Sequence, residues 1–392
     1  MLKWIKINKG LVKMYIAYKF RLYPNDEQKI LIHKNFDCSR FVYNYYLTYI
    51  KEHKYLNASA CIEHYVKHLK QKYPFLTEAD SIIIRKTLFN LEDAFKRFFN
   101  KQRGYPIYKS KFSKNSYNTS AIYREYKGKK YCNIELDLNT RQIKLPKLKW
   151  INIKGYRNLK EIKGRIINAN ISKEPNGKYY VSVLYEVPSL VNDYVIPKNI
   201  IGLDLGIKKL ITLSDGGTVD NNKYILKYEK RIKRLQRSLS RKVKSSKNYY
   251  KCKQQLAILY SKLKNARNHY LHNVTKQITD EYDIIITEKL QTKNMLQNKN
   301  LSKKIADASF NEIIRQLLYK SKKKGKYFYQ IDTFYPSTQT CSVCGKLDKK
   351  YKNINERIYE CNNCHNCIDR DLNASINIMF EGLKKFMKEE FV

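Results

Sequence analysis

The sequence is poor in acidic residues and lacks any long apolar run. Its 392 residues include 35 Asp and Glu against 78 Lys and Arg, so the formal net charge is +43. No segment approaches the roughly 18 apolar residues that a transmembrane helix needs, and no basic amphipathic segment stands alone, which disfavours a membrane partner. Positive charge spread along the whole chain instead predicts a polyanionic partner.

The N-terminal residues 1–13 also lack the apolar core of a secretion signal, because lysines interrupt them. Met14 is an alternative start to Met1. Without export we expect a cytoplasmic protein of a bacterium or archaeon, in which the nine cysteines are reduced. Clustered cysteines then point to metal binding and not to disulfides.

Two Cys-x-x-Cys motifs, 16 residues apart, lie near the C-terminus. Their members are Cys341, Cys344, Cys361 and Cys364. Four thiolates at this spacing suit a tetrahedral structural Zn²⁺ with no open coordination position. The residues leave the choice of ligands open, because Cys367 forms an overlapping Cys-x-x-Cys with Cys364 and His365 is a further candidate.

Three acids lie at the edges of apolar elements rather than on charged surfaces. Asp204 lies in the apolar stretch 200–207, which predicts a buried strand, a turn and a return strand, and Glu288 ends a second apolar run. Asp371 lies in 367–378, which is typical of a helix with acids in its first turn. A buried carboxylate is costly unless it is paired or binds a metal, so Asp204 predicts a cation or a nearby base.

Convergence of the three carboxylates would hold two divalent cations about 3.5–4 Å apart. Such a pair activates a water and stabilises the leaving oxygen of a phosphodiester. Mg²⁺ suits this site, since it prefers carboxylate and phosphate oxygens and keeps much of its water. Asp369 competes with Asp371 for the third ligand position.

The segments that carry the acids resemble the three split RuvC motifs of the TnpB family, the OrfB-type proteins of bacterial insertion sequences, which are similar to small type V CRISPR effectors. The matching segments are 201–207, 286–288 with 293–295, and 369–374. The resemblance extends from about Tyr15 to Asn377. It implies an α/β multidomain protein with an RNase H-like (RuvC) nuclease domain.

The resemblance also implies roles for individual residues. Asp204, Glu288 and Asp371 match the catalytic Mg²⁺ ligands of the family, with Asp369 and Arg370 as accessory residues. The spacing of the family's last motif selects Cys361 and Cys364 as the second pair of zinc ligands. Family members usually carry Gly at the position of His365, so His365 stays a possible substitute zinc ligand.

A domain order follows from the same resemblance. The implied domains are an N-terminal strand of the wedge domain (1–23), a helical recognition domain (24–104), a wedge β-barrel (105–194), a nuclease domain (195–335) with a basic helical hairpin (224–282), an inserted zinc ribbon (336–368) and the end of the nuclease domain (369–392). Local patterns predict a strand over 15–22, helices over 58–72 and 78–102, and short strands over 131–136, 142–145, 162–171 and 179–185. Evenly spaced short strands indicate a small barrel or sandwich.

The implied function is RNA-guided, metal-dependent cleavage of double-stranded DNA beside a short flanking motif, by a protein that a transposable element encodes. Its implied partners are a guide RNA from the end of the element and the target DNA, and we expect a monomer bound to RNA. The expected cofactors are two Mg²⁺ and one Zn²⁺. Three alternatives stay open: a nuclease-inactive RNA-guided repressor, a strand-transfer transposase on an RNase H-like fold, and a non-enzymatic zinc-ribbon protein that binds nucleic acid.

Overall fold

The computed structural model of the protein describes residues 14–53, 55, 57–113, 115–155, 162, 164–187, 197–352 and 356–391. Residues 1–13, and with them the choice between Met1 and Met14 as the start, lie outside this part of the chain. The chain forms two units, residues 1–189 and 190–392. Their division lies close to the predicted boundary between the wedge and nuclease domains.

The first unit is built on antiparallel strands. In the described residues these are β1 Met14–Tyr23, β2 Asn115–Ser120, β3 Tyr123–Tyr126, β4 Lys129–Cys132, β5 Glu135–Asp137, β6 Gln142–Leu145, β7 Lys149–Lys154, β8 Arg165–Lys173 and β9 Tyr179–Val187. Seven of them pair in the order β2-β8-β9-β1-β7-β6-β5, and β3 and β4 form a separate hairpin. The long β1 therefore lies at the centre of the sheet, where Phe20 and Leu22 enter the core.

The strands predicted over 15–22 and 142–145 are confirmed as β1 and β6. The strand predicted over 131–136 is divided into β4 and β5 at Asn133. The Asn133 side chain accepts a hydrogen bond from the Ile122 N–H (2.7 Å) and donates one to the Ser120 carbonyl (3.1 Å), which turns the backbone. In the described residues β2 and β5 are the outer strands of the seven-stranded sheet, and closure into a barrel stays a prediction.

The helices of the first unit pack together around a hydrophobic core of their own. They are α1 Asp26–Glu52, α2 Ala58–His64, α3 Lys70–Lys72 and α4 Ser81–Phe99. Asn25 caps α1, because its side chain accepts from the Gln28 N–H while the Gln28 side chain accepts from the Asn25 N–H. The predicted helix 58–72 is found with a π turn inside it. The predicted helix 78–102 is shorter at both ends: it begins at Ser81, where Asp80 caps it, and ends at Phe99.

The second unit contains a five-stranded mixed sheet. Its strands are β10 Ile200–Asp204, β11 Lys209–Leu213, β12 Thr218–Asp220, β13 Ile284–Glu288 and β14 Tyr327–Ile331, paired in the order β12-β11-β10-β13-β14. β10, β13 and β14 run parallel, whereas β11 and β12 run antiparallel to their neighbours. The strands predicted around Asp204 and Glu288 are thereby confirmed.

Helices cover both faces of this sheet. They are α5 Tyr224–Ser240, α6 Lys247–Glu281, α7 Thr292–Met295, α8 Ser302–Ala308, α9 Phe310–Lys323 and α10 Arg370–Phe391. Ile285 packs with α6 and α9 on one face, whereas Ile284 and Ile286 pack with α10 on the other. The predicted division of the basic hairpin is confirmed, because the Ser246 side chain accepts from the Tyr249 N–H and caps α6. Within the described ranges, no helix combines the length and apolar character needed to cross a membrane.

A small two-stranded ribbon leads directly into α10. It consists of β15 Ile358–Glu360 and β16 Cys367–Asp369, paired antiparallel. The helix predicted to begin at residue 367 is therefore wrong for its first three residues, which form β16. The helix begins after Asp369 because that carboxylate accepts a hydrogen bond from the Asp371 N–H at 2.9 Å.

Two glycines allow α10 to lie very close to the sheet. A Cβ added to Gly202 of β10 would lie 2.2 Å from the Ser375 carbonyl oxygen of α10. A Cβ added to Gly382 of α10 would lie 2.2 Å from Cγ2 of Ile286 in β13. Both separations are shorter than van der Waals contact, so any larger residue would push the helix away from the strands.

We expect Gly382→Ala to lower the free energy of unfolding by about 1–3 kcal/mol, because the added methyl group overpacks the buried contact with Ile286. Urea denaturation followed by far-UV circular dichroism measures the loss. Gly104→Ala is the matched control, since its Cβ would meet no atom within 4 Å. An unchanged urea midpoint for Gly382→Ala would contradict this packing.

Candidate active site and metal centre

β10 and β13 bring Asp204 and Glu288 to one edge of the sheet. The two strands are adjacent and parallel, with Leu203 opposite Thr287, and the next residue of each strand is its acid. Neighbouring strands lie about 4.7–4.9 Å apart. Because side chains alternate between the two faces, both acids share the face that α10 covers.

α10 adds Asp371 to this edge. Its Ser375 carbonyl lies against Gly202, and Asp371 precedes Ser375 by one helical turn on the same side of the helix. Gly202 in turn precedes Asp204 by two residues on the same face of β10. The first turn of α10 therefore lies over the carboxyl end of β10, where the charge of Asp371 acts on Asp204.

Glu288 and Asp371 both repel a charge on Asp204. Burial raises the pKa of Asp204 well above its usual value, and the negative charges of Glu288 and Asp371 raise it further. Burial also raises the pKa of Glu288. The Arg370 guanidinium opposes the rise in the pKa of Asp204 only in part. Crowded carboxylates of this kind fit a hard divalent cation, which would offset their repulsion.

Asp369 and Asp371 have different partners. Asp371 forms ion pairs with Arg370 (3.4 Å) and Arg357 (3.7 Å). Asp369 is exposed, and its carboxylate accepts hydrogen bonds from the Asp371 N–H (2.9 Å) and the Leu372 N–H (3.1 Å) at the start of α10. The structure therefore brings Asp371 into the charge cluster and uses Asp369 as a helix cap.

Arg357 was not among the predicted site residues. It comes next to Asp371 because β15 pairs with β16, which places Ile358 opposite Asp369. The Arg370 N–H also donates to the Arg357 carbonyl (2.8 Å). No local pattern marks Arg357, since its position depends on the pairing of two short strands.

The four predicted cysteines form one cluster. Cys341 Sγ lies 3.6 Å from Cys364 Sγ, and Cys344 Sγ lies 3.5 Å from Cys361 Sγ. In the described part of the chain, these four are the group whose ligand atoms all lie within 4.8 Å of one another. Cys367 is exposed in β16 and lies outside the cluster.

The two cysteine motifs fold into matching turns. In the first, the Gly345 N–H donates to the Cys341 carbonyl (3.0 Å), and in the second the His365 N–H donates to the Cys361 carbonyl (2.9 Å). Gly345 has φ 74° and His365 has φ 56°, so both adopt the left-handed conformation that such a turn requires. His365 therefore takes the place of a turn glycine and lies outside the four-sulfur group.

A hydrogen bond from the Lys346 N–H lowers the pKa of the exposed Cys344 thiol to about 6. This shift favours the thiolate, which is the form that binds metal.

The three acids are spaced more widely than the four cysteines. Asp204, Glu288 and Asp371 do not form a group whose ligand atoms all lie within 4.8 Å of one another.

The hairpin of α5 and α6 carries a dense positive surface. Exposed basic residues of α5 include Lys230, Arg231, Arg234 and Arg237. The opposite side of α5 is apolar and packs on α6 through a small core around Ile232. The hairpin thus presents its charge to solvent, where it can contact phosphates.

Family models match most of the chain. The model described as "Probable transposase" (OrfB_IS605) matches residues 181–299, and the model described as "Cas12f1-like, TNB domain" matches 310–378. A third, described as "Helix-turn-helix domain" (HTH_OrfB_IS605), matches 14–57. In this structure the third segment holds β1 and the long single helix α1.

Two relatives match almost the whole chain. "Putative RNA-guided DNA endonuclease" of Streptomyces pristinaespiralis is 30% identical over 376 residues, covering 94% of this chain and 89% of that protein. "Putative RNA-guided DNA endonuclease InsQ" of Escherichia coli (strain K12) is 30% identical over 393 residues, covering 95% of this chain and 93% of that protein.

Among solved structures, a chain of the "Cryo-EM structure of the Cas12f1-sgRNA-target DNA complex" matches with a TM-score of 0.57 at 14% identity, covering 94% of this chain and 99% of that one. The protein therefore has a fold of the TnpB and Cas12f1 type. It belongs to the OrfB family of IS605-type insertion sequences, the family of the TnpB proteins. The family resemblance seen in the three acidic motifs is confirmed.

We expect Asp204→Asn to stabilise the metal-free protein at pH 7–8 by about 0.5–2 kcal/mol, because it removes a buried charge beside two others. The pKa of Asp204 is higher in the folded than in the unfolded state, so the wild type loses stability as the pH rises through the folded-state pKa. The advantage of the variant should vanish below about pH 4, where both states are protonated. Urea midpoints in EDTA between pH 4 and 8 measure the difference.

Asp283→Asn, at the other end of β13, is a control of opposite sign. Burial opposes ionisation of Asp283, but the Lys198 N–H, the Lys326 ammonium (3.1 Å) and the Asn199 N–H hold its pKa below the usual value. This variant should be less stable than the wild type at neutral pH, and the deficit should shrink as the pH falls through the folded-state pKa. Equal pH profiles for the two variants would rule out charge crowding at Asp204.

Proposed function

We propose that the protein is an RNA-guided, metal-dependent endonuclease that cuts double-stranded DNA at one nuclease site. The observation that carries the proposal is the meeting of Asp204, Glu288 and Asp371 beneath the first turn of α10, in a chain with a formal net charge of +43. The two relatives whose names describe an RNA-guided DNA endonuclease support it.

We assign the five-stranded sheet to an RNase H-like nuclease core. Support comes from the antiparallel β10, β11 and β12 followed by β13 and β14 parallel to β10, with acids at the ends of the two adjacent parallel strands. The nuclease domain would then cover 195–335 and 369–392, interrupted by the zinc ribbon 336–368.

Asp204, Glu288 and Asp371 would hold two Mg²⁺, the ion that carboxylate donors and a phosphate substrate favour. Bound there, the two ions would activate a water and stabilise the leaving oxygen of the phosphodiester. Only the ionised carboxylate of Asp204 would be a ligand, so its raised pKa would make cation binding depend on pH.

Residues beside Asp371 would orient its carboxylate. Arg370 is buried and pairs with the Asp371 carboxylate, and Arg357 reaches the same carboxylate from the ribbon. Asp369 would act indirectly, by capping the helix that carries Asp371. These contacts support accessory roles for Arg370 and Asp369, outside the set of cation ligands.

Guide RNA and target DNA would be bound mainly through their phosphates. The exposed basic residues of α5 would contact the backbone of the heteroduplex, which gives affinity without sequence choice. Pairing with the guide would supply sequence specificity. We assign the helices of 24–104 to recognition of the flanking motif, and the sheet formed by β1 and 105–194 to binding of the guide.

The four clustered cysteines would hold one structural Zn²⁺. Two of their sulfur pairs, at 3.5 and 3.6 Å, approach the roughly 3.8 Å expected between two ligands of a tetrahedral zinc with Zn–S bonds of about 2.3 Å. The lowered pKa values of Cys344 and Cys361 favour the thiolate form that would bind the metal.

We expect protein co-expressed with RNA from the end of its element to cut a plasmid library that carries a guide-matched target beside a randomised flank. Cutting should need Mg²⁺ and the matching guide, and it should enrich one flanking motif. Asp204→Asn, Glu288→Gln and Asp371→Asn should each lower the cleavage rate at least about 10³-fold, because each removes a charged ligand.

Asp369→Asn is the matched control, since an Asn at this position can still cap α10. Its cleavage rate should stay within about tenfold of the wild type. Guide-dependent binding without cutting would make the protein an RNA-guided repressor, and joining of a free element end to target DNA would make it a strand-transfer transposase. The absence of both guide-dependent binding and cutting would refute RNA guidance.

The purified protein should contain one zinc ion per chain, measured by inductively coupled plasma mass spectrometry. Cys364→Ser should lose the zinc, because the Cys364 sulfur lies in the four-sulfur cluster. Cys367→Ser is the matched control and should keep it, since Cys367 lies outside that cluster. Zinc loss in Cys367→Ser alone would reverse the assignment.

A further inference from the structure

Two buried asparagines of α10 contact the first cysteine turn. Asn373 is fully buried; its side-chain amide donates to the Thr340 carbonyl (2.7 Å), and its side-chain oxygen accepts from the Ser342 N–H (2.9 Å). Asn377 is also buried, and its amide donates to the carbonyls of Ser337 (2.8 Å) and Thr340 (2.6 Å). Four hydrogen bonds thus join α10 to the backbone on both sides of Cys341.

These asparagines lie on the side of α10 that faces away from the sheet. A helix advances about 100° per residue, so Asn373 is turned about 200° and Asn377 about 240° from Asp371. Asp371, Ser375 and Gly382 share the opposite side, where the latter two contact the strands. The helix is therefore held between the sheet on one side and the first cysteine turn on the other.

The second cysteine turn is joined to the same helix end by the chain itself. β16 begins three residues after Cys364 and ends at Asp369, whose carboxylate caps α10. The Arg370 N–H donates to the Arg357 carbonyl (2.8 Å) of the ribbon. Both halves of the cysteine centre are thus attached to the first two turns of α10.

We infer that Asn373 and Asn377 are positioning residues that couple the four-cysteine metal centre to Asp371. The ordered cysteine turns, together with β15 and β16, hold the first turn of α10 over β10. The helix in this position holds the Asp371 carboxylate beside Asp204. The inference rests on the proposed function for its catalytic consequence, because Asp371 is there a cation ligand. The coupling itself is a property of the two metal sites.

The physical basis is the burial of the two amides. A buried side-chain amide that loses its partners is strongly disfavoured, so the first cysteine turn and α10 move as one body. Four thiolates are held together by the metal that they bind, and without it the turns would lose their fixed geometry. Coupling between two sites is reciprocal, so each metal should change the affinity for the other by the same factor.

Asn373→Ala and Asn377→Ala should each lower the single-turnover rate of guided DNA cleavage about tenfold or more at low Mg²⁺. The Mg²⁺ concentration for half-maximal rate should rise, and excess Mg²⁺ should restore part of the rate. The Kd for target DNA should stay within about threefold of the wild-type value, because neither side chain belongs to the basic surface. A general folding defect would weaken DNA binding as well.

A second readout needs no activity. Mn²⁺ binding to the full-length protein, followed by electron paramagnetic resonance, should weaken in both variants and in wild type stripped of zinc by a chelator. At equilibrium a chromogenic chelator should remove less zinc with Mn²⁺ bound than without it, and this difference should shrink in the variants.

Asn362→Ala is the matched control, because Asn362 lies in the second cysteine turn but is exposed, and its side-chain amide donates to the Asp348 side chain (3.2 Å) and not to α10. It should leave the Mg²⁺ requirement unchanged. The inference would be overturned if Asn373→Ala and Asn377→Ala needed no more Mg²⁺ than the wild type and bound Mn²⁺ as tightly. Equal losses of DNA binding and cleavage in these variants would overturn it too. If the wild type does not cut guide-matched DNA, the proposed function fails, and the Mn²⁺ and zinc measurements still decide the coupling.

Discussion

The contact between α10 and β10 is the one on which the rest of the site depends. Gly202 has no side chain, so the Ser375 backbone can lie directly on the strand, and this approach puts Asp371 above the strand ends. Without it, Asp204 and Glu288 would form an edge with two acids and no third. Burial raises the pKa of Asp204, and the charges of Glu288 and Asp371 raise it further, so the metal-free site is unfavourable.

The cysteine centre and the acidic site meet at the start of α10. Asp369 ends β16 and caps the helix, Arg370 is buried behind the first turn, and Asn373 reaches back to the first cysteine turn. A helix start held by so many contacts has little freedom to tilt or slide. Precise placement of a carboxylate ligand is what a two-cation site requires.

Much of the site could be predicted because its signals are local. An apolar run that ends in an acid predicts Asp204 and Glu288, and cysteine spacing predicts the four clustered cysteines. The residues alone left Asp369 and Asp371 as competitors, because both lie at the same helix start. The structure distinguishes their roles: the Asp369 carboxylate accepts a hydrogen bond that caps the helix, whereas Asp371 lies near the other acids. The sequence likewise left His365 as a candidate ligand, and its positive φ shows that it is a turn residue.

By itself the sequence determined the buried strands, the cysteine motifs and the excess of positive charge, because hydrophobic pattern, ligand spacing and net charge are properties of short segments or of the whole composition. Only the tertiary structure decided which acids meet, that Cys367 lies outside the four-cysteine cluster, and that Arg357, Asn373 and Asn377 support the helix that carries Asp371. Those outcomes depend on side-chain direction and on contacts between segments far apart in the chain, and no local pattern encodes them.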